Sequence, residues 1–191
     1  WTEAFLFPEL DAKVLPDIRL VTDDGVFEPS YVIMHAGKNP TNKVEYCGKE
    51  ASQHLACLIW TLPWRLSLDA VSSDPAFEGL TVMEVAHRAL TGSDINWSMI
   101  TNGQKLRLLR KGTAHKPRCY LEIDLSAILD RRGEAEAILA FRYCLGLFSG
   151  SSFTEKDGND RTRLDRALLE SERHGKEIGD ELKHNVFSAL E

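Results

Sequence analysis

The side chains of this chain best suited to binding chemistry are cations gathered on one short ribbon. From Trp97 to Leu125 the sequence runs WSMITNG, QKLRLLRKG and RCYLEIDL, which reads as three short strands carrying Lys105, Arg107, Arg110, Lys111, Lys116 and Arg118. The alternation Lys105, Leu106, Arg107, Leu108 sends apolar side chains to one face and cations to the other. Asn102-Gly103 supplies the two positive-φ residues of a tight hairpin turn. Cations so arranged would hold phosphate oxygens and position a nucleic-acid backbone without reading its bases. The same pattern also describes the solvated outer face of an ordinary hairpin, so both readings stand. With a net charge of -6, any contact with DNA must come from this patch and not from bulk charge.

Other chemical signatures are missing. There is no GxxxxGK[ST] loop, no GxGxxG after a strand, no HExxH and no GxSxG elbow, and no cofactor is implied within the segment. Asn39-Pro40-Thr41 lacks the second proline and the aromatic residue of an adenine-methyltransferase tetrad. The four cysteines, at 47, 57, 119 and 144, have neither close pairing nor CxxC spacing, and read as reduced, mostly buried thiols. Trp60, Trp64 and Trp97 read as core or interface anchors. No apolar run is long enough to cross a bilayer and no secretion signal opens the chain, so a cytoplasmic protein is expected.

The elements that must position these residues follow from periodicity. At 191 residues and 43% hydrophobic content, the chain can bury the core of one ordinary domain with a helical extension. Strands are expected over Leu15 to Thr22 and Ser30 to His35, and a helix over Leu80 to Leu90 with Val82, Val85, Ala86, Ala89 and Leu90 inward. Between them Leu55, Leu58, Ile59 and Leu62 have helical spacing, yet LACLIWTL equally suits a fully buried strand, the reading adopted for Leu55 to Thr61. Glu134 to Phe148 reads as a helix with Ile138, Phe141, Leu145 and Phe148 on one face. A polar loop follows. The last helix, from Asp160, carries the stripe Leu164, Leu168, Ser171, Gly175, Ile178, Leu182 and Val186, whose small residues either allow a close helix-helix approach, the expectation adopted, or merely weaken an exposed helix. The chain begins with Trp1 and stops within that pattern, as a piece of a larger protein would. The expected fold class is α/β, a mixed β-sheet with flanking helices followed by a helical extension.

The WSMITNGQKLRL run from Trp97, CYLEIDL from Cys119, LFSGSSF ending at Phe153, LDRALLES from Leu164 and LKHNVFSALE from Leu182 keep a fixed order. In that order they resemble the amino-terminal region of large bacterial restriction-modification and antiphage-defence methyltransferases of the type IIG kind. The similarity covers Leu80 to Glu191 and fades before it. The resemblance implies a PD-(D/E)xK nuclease-like α/β domain over 1–132. It also implies a helical connector over 133–191 that continues into a downstream methyltransferase domain or docks on a partner subunit. The parent protein would be a DNA adenine methyltransferase or restriction enzyme.

Such a nuclease needs an Asp on one strand and an acid-x-Lys pair on the next, because two carboxylates hold Mg²⁺ and the Lys helps activate water. With Leu55 to Thr61 as the second strand, the acid-x-Lys positions fall near Trp60 and Leu62, and the first strand offers Ser30 and Tyr31. With Ser30 to His35 as the second strand, Asp17 is the first acid and His35-Ala36-Gly37-Lys38 is a displaced substitute at the wrong spacing. An Asp after Pro16 is also an ordinary turn or capping residue. The expectation is therefore a module with no catalytic residues and no metal, contacting DNA through the basic hairpin or serving as a scaffold. The alternatives are an active metal-dependent endonuclease using Asp17, Glu28 or His35, and Lys38, or a protein-interaction module.

Overall fold

In the computed structural model, residues 14–35, 44–112, 120–154 and 161–190 are described. The strands in chain order are β1 (Val14–Pro16), β2 (Arg19–Thr22), β3 (Gly25–Phe27), β4 (Tyr31–Met34), β5 (Glu45–Cys47), β6 (Leu55–Thr61), β7 (Trp97–Thr101), β8 (Lys105–Arg110) and β9 (Tyr120–Asp124). The helices are α1 (Val82–Ser93), α2 (Leu125–Asp130), α3 (Ala135–Phe148), α4 (Gly150–Thr154) and α5 (Arg163–Leu190).

The organising strand is β6, whose LACLIWT run has no charge and is buried everywhere except at Thr61. A strand of this kind is stable only with both of its faces covered. It sits inside a six-stranded sheet of order β1-β4-β6-β7-β8-β9. Every neighbouring pair is antiparallel except β6 and β7, which α1 connects in parallel. A smaller sheet of order β3-β2-β5 lies beside it. This is the expected α/β architecture, a mixed sheet with flanking helices and a helical extension.

Two cores follow from the two faces. Leu58, Trp60, Ile100 and Leu109 face α1 and the small sheet, in one cluster with Leu20, Phe27, Val85 and Leu90. Ile33, Ile59, Met99, Leu106 and Leu108 face the later helices, clustered with Leu125, Cys144, Phe148, Phe153 and Leu164. The expected boundary at 132/133 thus has residues of this second core on both sides of it. The inward stripe expected of α1 is buried at all five positions. Its start is a capping box in which the Glu84 amide donates to the Thr81 hydroxyl and the Thr81 amide donates to the Glu84 carboxylate.

Several expectations are corrected. The strand expected over Leu15 to Thr22 is two strands in different sheets, because Asp17 adopts a left-handed φ of 58° between them. Tyr46 on β5 is a core residue in a strand too short to show an alternation. Helix α3 is rotated from the expected face: Ala137, Cys144 and Phe148 are buried, whereas Ile138 is 48% exposed. Its sequence is apolar on most sides, so periodicity leaves the inward face undetermined. The stretch from Gly150, expected as loop, begins with the short helix α4.

Gly92 in the last turn of α1 shows how closely this helix meets β2. A Cβ added there would lie 2.7 Å from the Cβ of Thr22. Gly92→Ala should therefore lower stability by about 1–3 kcal/mol through overpacking, despite alanine's better helix propensity. A denaturant midpoint at or above that of the wild type would contradict this packing.

Candidate functional site

The turn that opens the basic hairpin is built from three side chains. Of Asn102 and Gly103 only Gly103 has positive φ, 81°, so the expected pair of positive-φ residues is replaced by a longer loop. Asn102 Oδ1 accepts from the amides of Gln104 (3.0 Å) and Lys105 (2.8 Å), closing an Asx turn. Its Nδ2 donates to the Leu66 carbonyl at 2.7 Å, tying the β6–α1 connection to the hairpin. Thr101 Oγ1 donates to the Lys105 carbonyl and accepts from the Gly103 amide.

Beyond the turn, the alternation holds for four residues and then inverts. Leu106 and Leu108 face the second core and Lys105 and Arg107 the first, but Leu109 follows on the cation side and Arg110 on the apolar side. The cations therefore occupy both faces of the sheet. Arg107 is only 6% exposed. Its Nη1 and Nη2 donate to the Asp69 carboxylate (2.5 and 3.1 Å), and its Nε donates to Glu122 Oε2 at 2.6 Å. Tyr120 lies under the guanidinium, 4.3 Å from ring centroid to Cζ. Lys105 Nζ donates to the other oxygen of Glu122 at 2.9 Å. Arg110 lies over Trp97 and 3.8 Å from Glu172 of α5, and Lys111 pairs with Asp94. Lys116 and Arg118 lie outside the described residues.

These contacts set the protonation of the cluster. Hydrogen bonds from Lys105 first and Arg107 second hold the Glu122 carboxyl below its ordinary value of 4.5. Asp69 first, with Glu122, holds the Arg107 proton still more firmly than usual.

The nuclease-like positions can now be examined in register. Strand β4 pairs with β6 so that Tyr31 faces Ile59 and Val32 faces Leu58, which brings Ser30 opposite Trp60. Where an acid would face an acid-x-Lys pair, the chain presents Ser30, Trp60 and, just past the end of β6, Leu62. The hydroxyls of Ser30 and Thr61 bond to each other at 2.9 Å, and the Trp60 indole donates to Ser98 Oγ at 3.0 Å. A cleft of about 390 Å³ opens there, with Glu28, Ser30, Trp60, Thr61, Asp74 and Phe77 in its lining.

The alternative constellation is dispersed. Asp17 follows Pro16, which pairs with Tyr31 at the start of β4, whereas His35 follows the far end of that strand. Four residues of strand separate those ends, roughly 13 Å. The His35 ring contacts the Ser52 carbonyl at 3.1 Å, and Glu28 pairs with Arg19 at 3.1 Å. Lys38 lies outside the described residues, and among the described residues no group of three or more His, Cys, Asp or Glu side chains could hold a metal ion.

Trp60 and Trp97 are buried, but Trp64, expected as an anchor, is 54% exposed on the β6–α1 connection. Of the cysteines, Cys57 and Cys144 are buried, with burial pushing the Cys144 thiol up to about 11, and Cys47 is exposed. Cys119 lies outside the described residues.

Removing Arg107 would leave Glu122 half-buried beside a single cation, so Arg107→Ala should cost about 3 kcal/mol or more in denaturant unfolding. A loss below about 0.5 kcal/mol, the ordinary surface range, would mean the ion pairs are not formed. Because the folded Glu122 is depressed, its contribution is present above the ordinary glutamate value of 4.5 and is lost as pH falls through the lower folded value. Between neutral and strongly acid pH, Glu122→Gln should therefore lose less stability than the wild type. Parallel pH curves for the two proteins would refute the coupling.

No family model matches the chain, and no curated protein matches its sequence. Among solved structures, it is similar to a candidate nuclease belonging to DUF820 from Anabaena variabilis, with 12% identity and a TM-score of 0.37. The match covers 64% of this chain and 60% of that one, so the chain spans less than two thirds of that protein's length.

Proposed function

We propose that this chain is a non-catalytic scaffolding module of a restriction-modification or phage-defence protein, whose downstream methyltransferase domain or partner subunit docks on its helical side. The observation that carries this reading is the β4–β6 register, which sets Ser30 opposite Trp60, with Leu62 just past the end of β6, where a nuclease needs two carboxylates and a lysine. Trp60 is held in place by its bond to Ser98, so this position supplies no metal ligand, and the carboxylates in the cleft lining, Glu28 and Asp74, lie off both strands.

The helical side supports a docking role. Ile138, Leu139 and Tyr143 leave an apolar patch on the outward face of α3, with Tyr143 65% exposed. Helix α5 is anchored by Leu164 and Leu168, and its described side chains from Ser171 to Glu177 are all exposed. Gly175 and Gly179 there face open space, so their expected close packing is not made within the described part of this chain. No described helix is long and apolar enough to cross a membrane.

DNA contact through Lys105, Arg110, Lys111, Lys116 and Arg118 is the second reading. It is favoured by the solvent access that the Lys105 and Arg110 side chains keep, 43% and 39%. Arg107 belongs to the interior in either case.

Supercoiled plasmid incubated with the chain and Mg²⁺ or Mn²⁺ should remain intact. Nicking that requires metal and vanishes in Lys38→Ala would replace the scaffold reading with an endonuclease. Binding to a short duplex, followed by fluorescence anisotropy across a salt series, separates the other two. Scaffolding predicts the same affinity for wild type and an Arg110→Glu/Lys111→Glu double variant. A loss of about tenfold or more, with a steep salt slope, would establish the DNA face.

A further inference from the structure

The connection from β6 to α1 contains nothing longer than a 3-10 turn at Pro75–Phe77. Connections of this length in a compact domain are uncommon and often functional. It closes the cleft over Trp60, with Leu62, Pro63, Leu66 and Val71 among the lining. Two backbone staples divide it. At one, the Leu62 amide donates to the Thr101 carbonyl at 2.7 Å; at the other, Val71 bridges Thr81 and the Val82 amide donates to the Ala70 carbonyl at 3.1 Å. Phe77, stacked on Phe27 at 4.8 Å, fixes the portion beyond the second staple.

The segment between the staples, residues 63–70, is internally bonded. The Leu66 amide donates to the Pro63 carbonyl and the Ala70 amide to the Ser67 carbonyl, both at 3.0 Å, so it is two consecutive tight turns. Buried Leu68 pins it from beneath. From the side it is held by Asn102 Nδ2 on the Leu66 carbonyl and by the Arg107 fork on Asp69. Arg65, near its start, has a left-handed φ of 67°, a conformation that non-glycine residues rarely hold.

We propose that residues 63–70 form a lid over the cleft that opens between the two staples, its two turns loosening as it lifts, and that the Arg107–Asp69 pair is its latch, assisted by Asn102. The burial of the two partners is unequal: the Arg107 side chain is 7% exposed and that of Asp69 60%. The latch therefore opens from the solvent side. When it does, Arg107 keeps one carboxylate partner, because Glu122 remains on its Nε at 2.6 Å. One side of the pair is in water, so salt weakens it. The inference holds for a catalytic or a non-catalytic cleft alike.

The test is hydrogen exchange by mass spectrometry on the whole chain, comparing wild type with Asp69→Asn, a change at an exposed residue. Amides of residues 64–70 should exchange about tenfold faster in the variant, with β6 and β7 unchanged. Trypsin should also cut faster after Arg65. In the wild type, added salt should accelerate the same amides, and in the variant it should not. Unchanged lid exchange in Asp69→Asn would overturn the proposal. Acceleration spread evenly through β6, β7 and β8 would also overturn it, since the pair would then be a general stabiliser of the sheet.

Discussion

Covering both faces of the sheet is the constraint that decides the rest. Once α1 and its connection lie on one face and α2 to α5 on the other, the middle of β8, residues 106–109, has no solvated side, and a charge within it must be neutralised internally. Arginine suits that position better than lysine, because its planar fork has five donors and a flat surface that stacks. Asp69 takes one edge of the Arg107 fork, Glu122 takes Nε, and Tyr120 covers a face. The network holds two cations, Lys105 and Arg107, and two carboxylates, Asp69 and Glu122, so it closes with no net charge. The same side chains join β8, β9 and the β6–α1 connection.

The parallel pairing of β6 and β7 has a second consequence. Parallel neighbours need a crossover, and here it supplies both a helix and the segment lying over the end of β6. Antiparallel pairing of β4 with β6 brings Ser30 to that same end. The cleft is therefore a product of topology, present whatever side chains line it. In this chain the lining mixes aliphatic and aromatic side chains with hydroxyls and the carboxylates of Glu28 and Asp74, and Trp60 fills by packing a position where a charged group would need a counter-ion.

Elements with strong local signals were legible. The α1 stripe and the hairpin follow directly from composition and period, and of the two readings of the uncharged LACLIWT run the buried strand is the one formed. What escaped has specific causes. The break at Asp17 depends on one residue in a left-handed conformation, which no apolar period records. Helix α3 is apolar on too many sides to show which one turns inward. The burial of Arg107 was illegible because alternation distinguishes two faces without saying that both are covered. Its partners lie far off along the chain, Asp69 at 38 residues and Glu122 at 15. Asn102 was recognised as a turn residue, but its bond to Leu66 depends on a connection whose path only the fold determines.

The choice between DNA and protein as the partner turns on what each would displace. For phosphate to reach Lys105 it would have to compete with Glu122, a carboxylate already at hydrogen-bond distance and bonded to Arg107 as well. Displacing Glu122 would bring it, half-buried, beside the phosphate, so each new contact carries a like-charge repulsion. Covering Ile138, Leu139 and Tyr143 on α3 breaks no ion pair and removes apolar surface from water, at roughly 25 cal/mol per Å². On an acidic chain whose described hairpin cations all lie beside carboxylates, the smaller energetic obstacle is at the apolar face, and that favours a protein partner there.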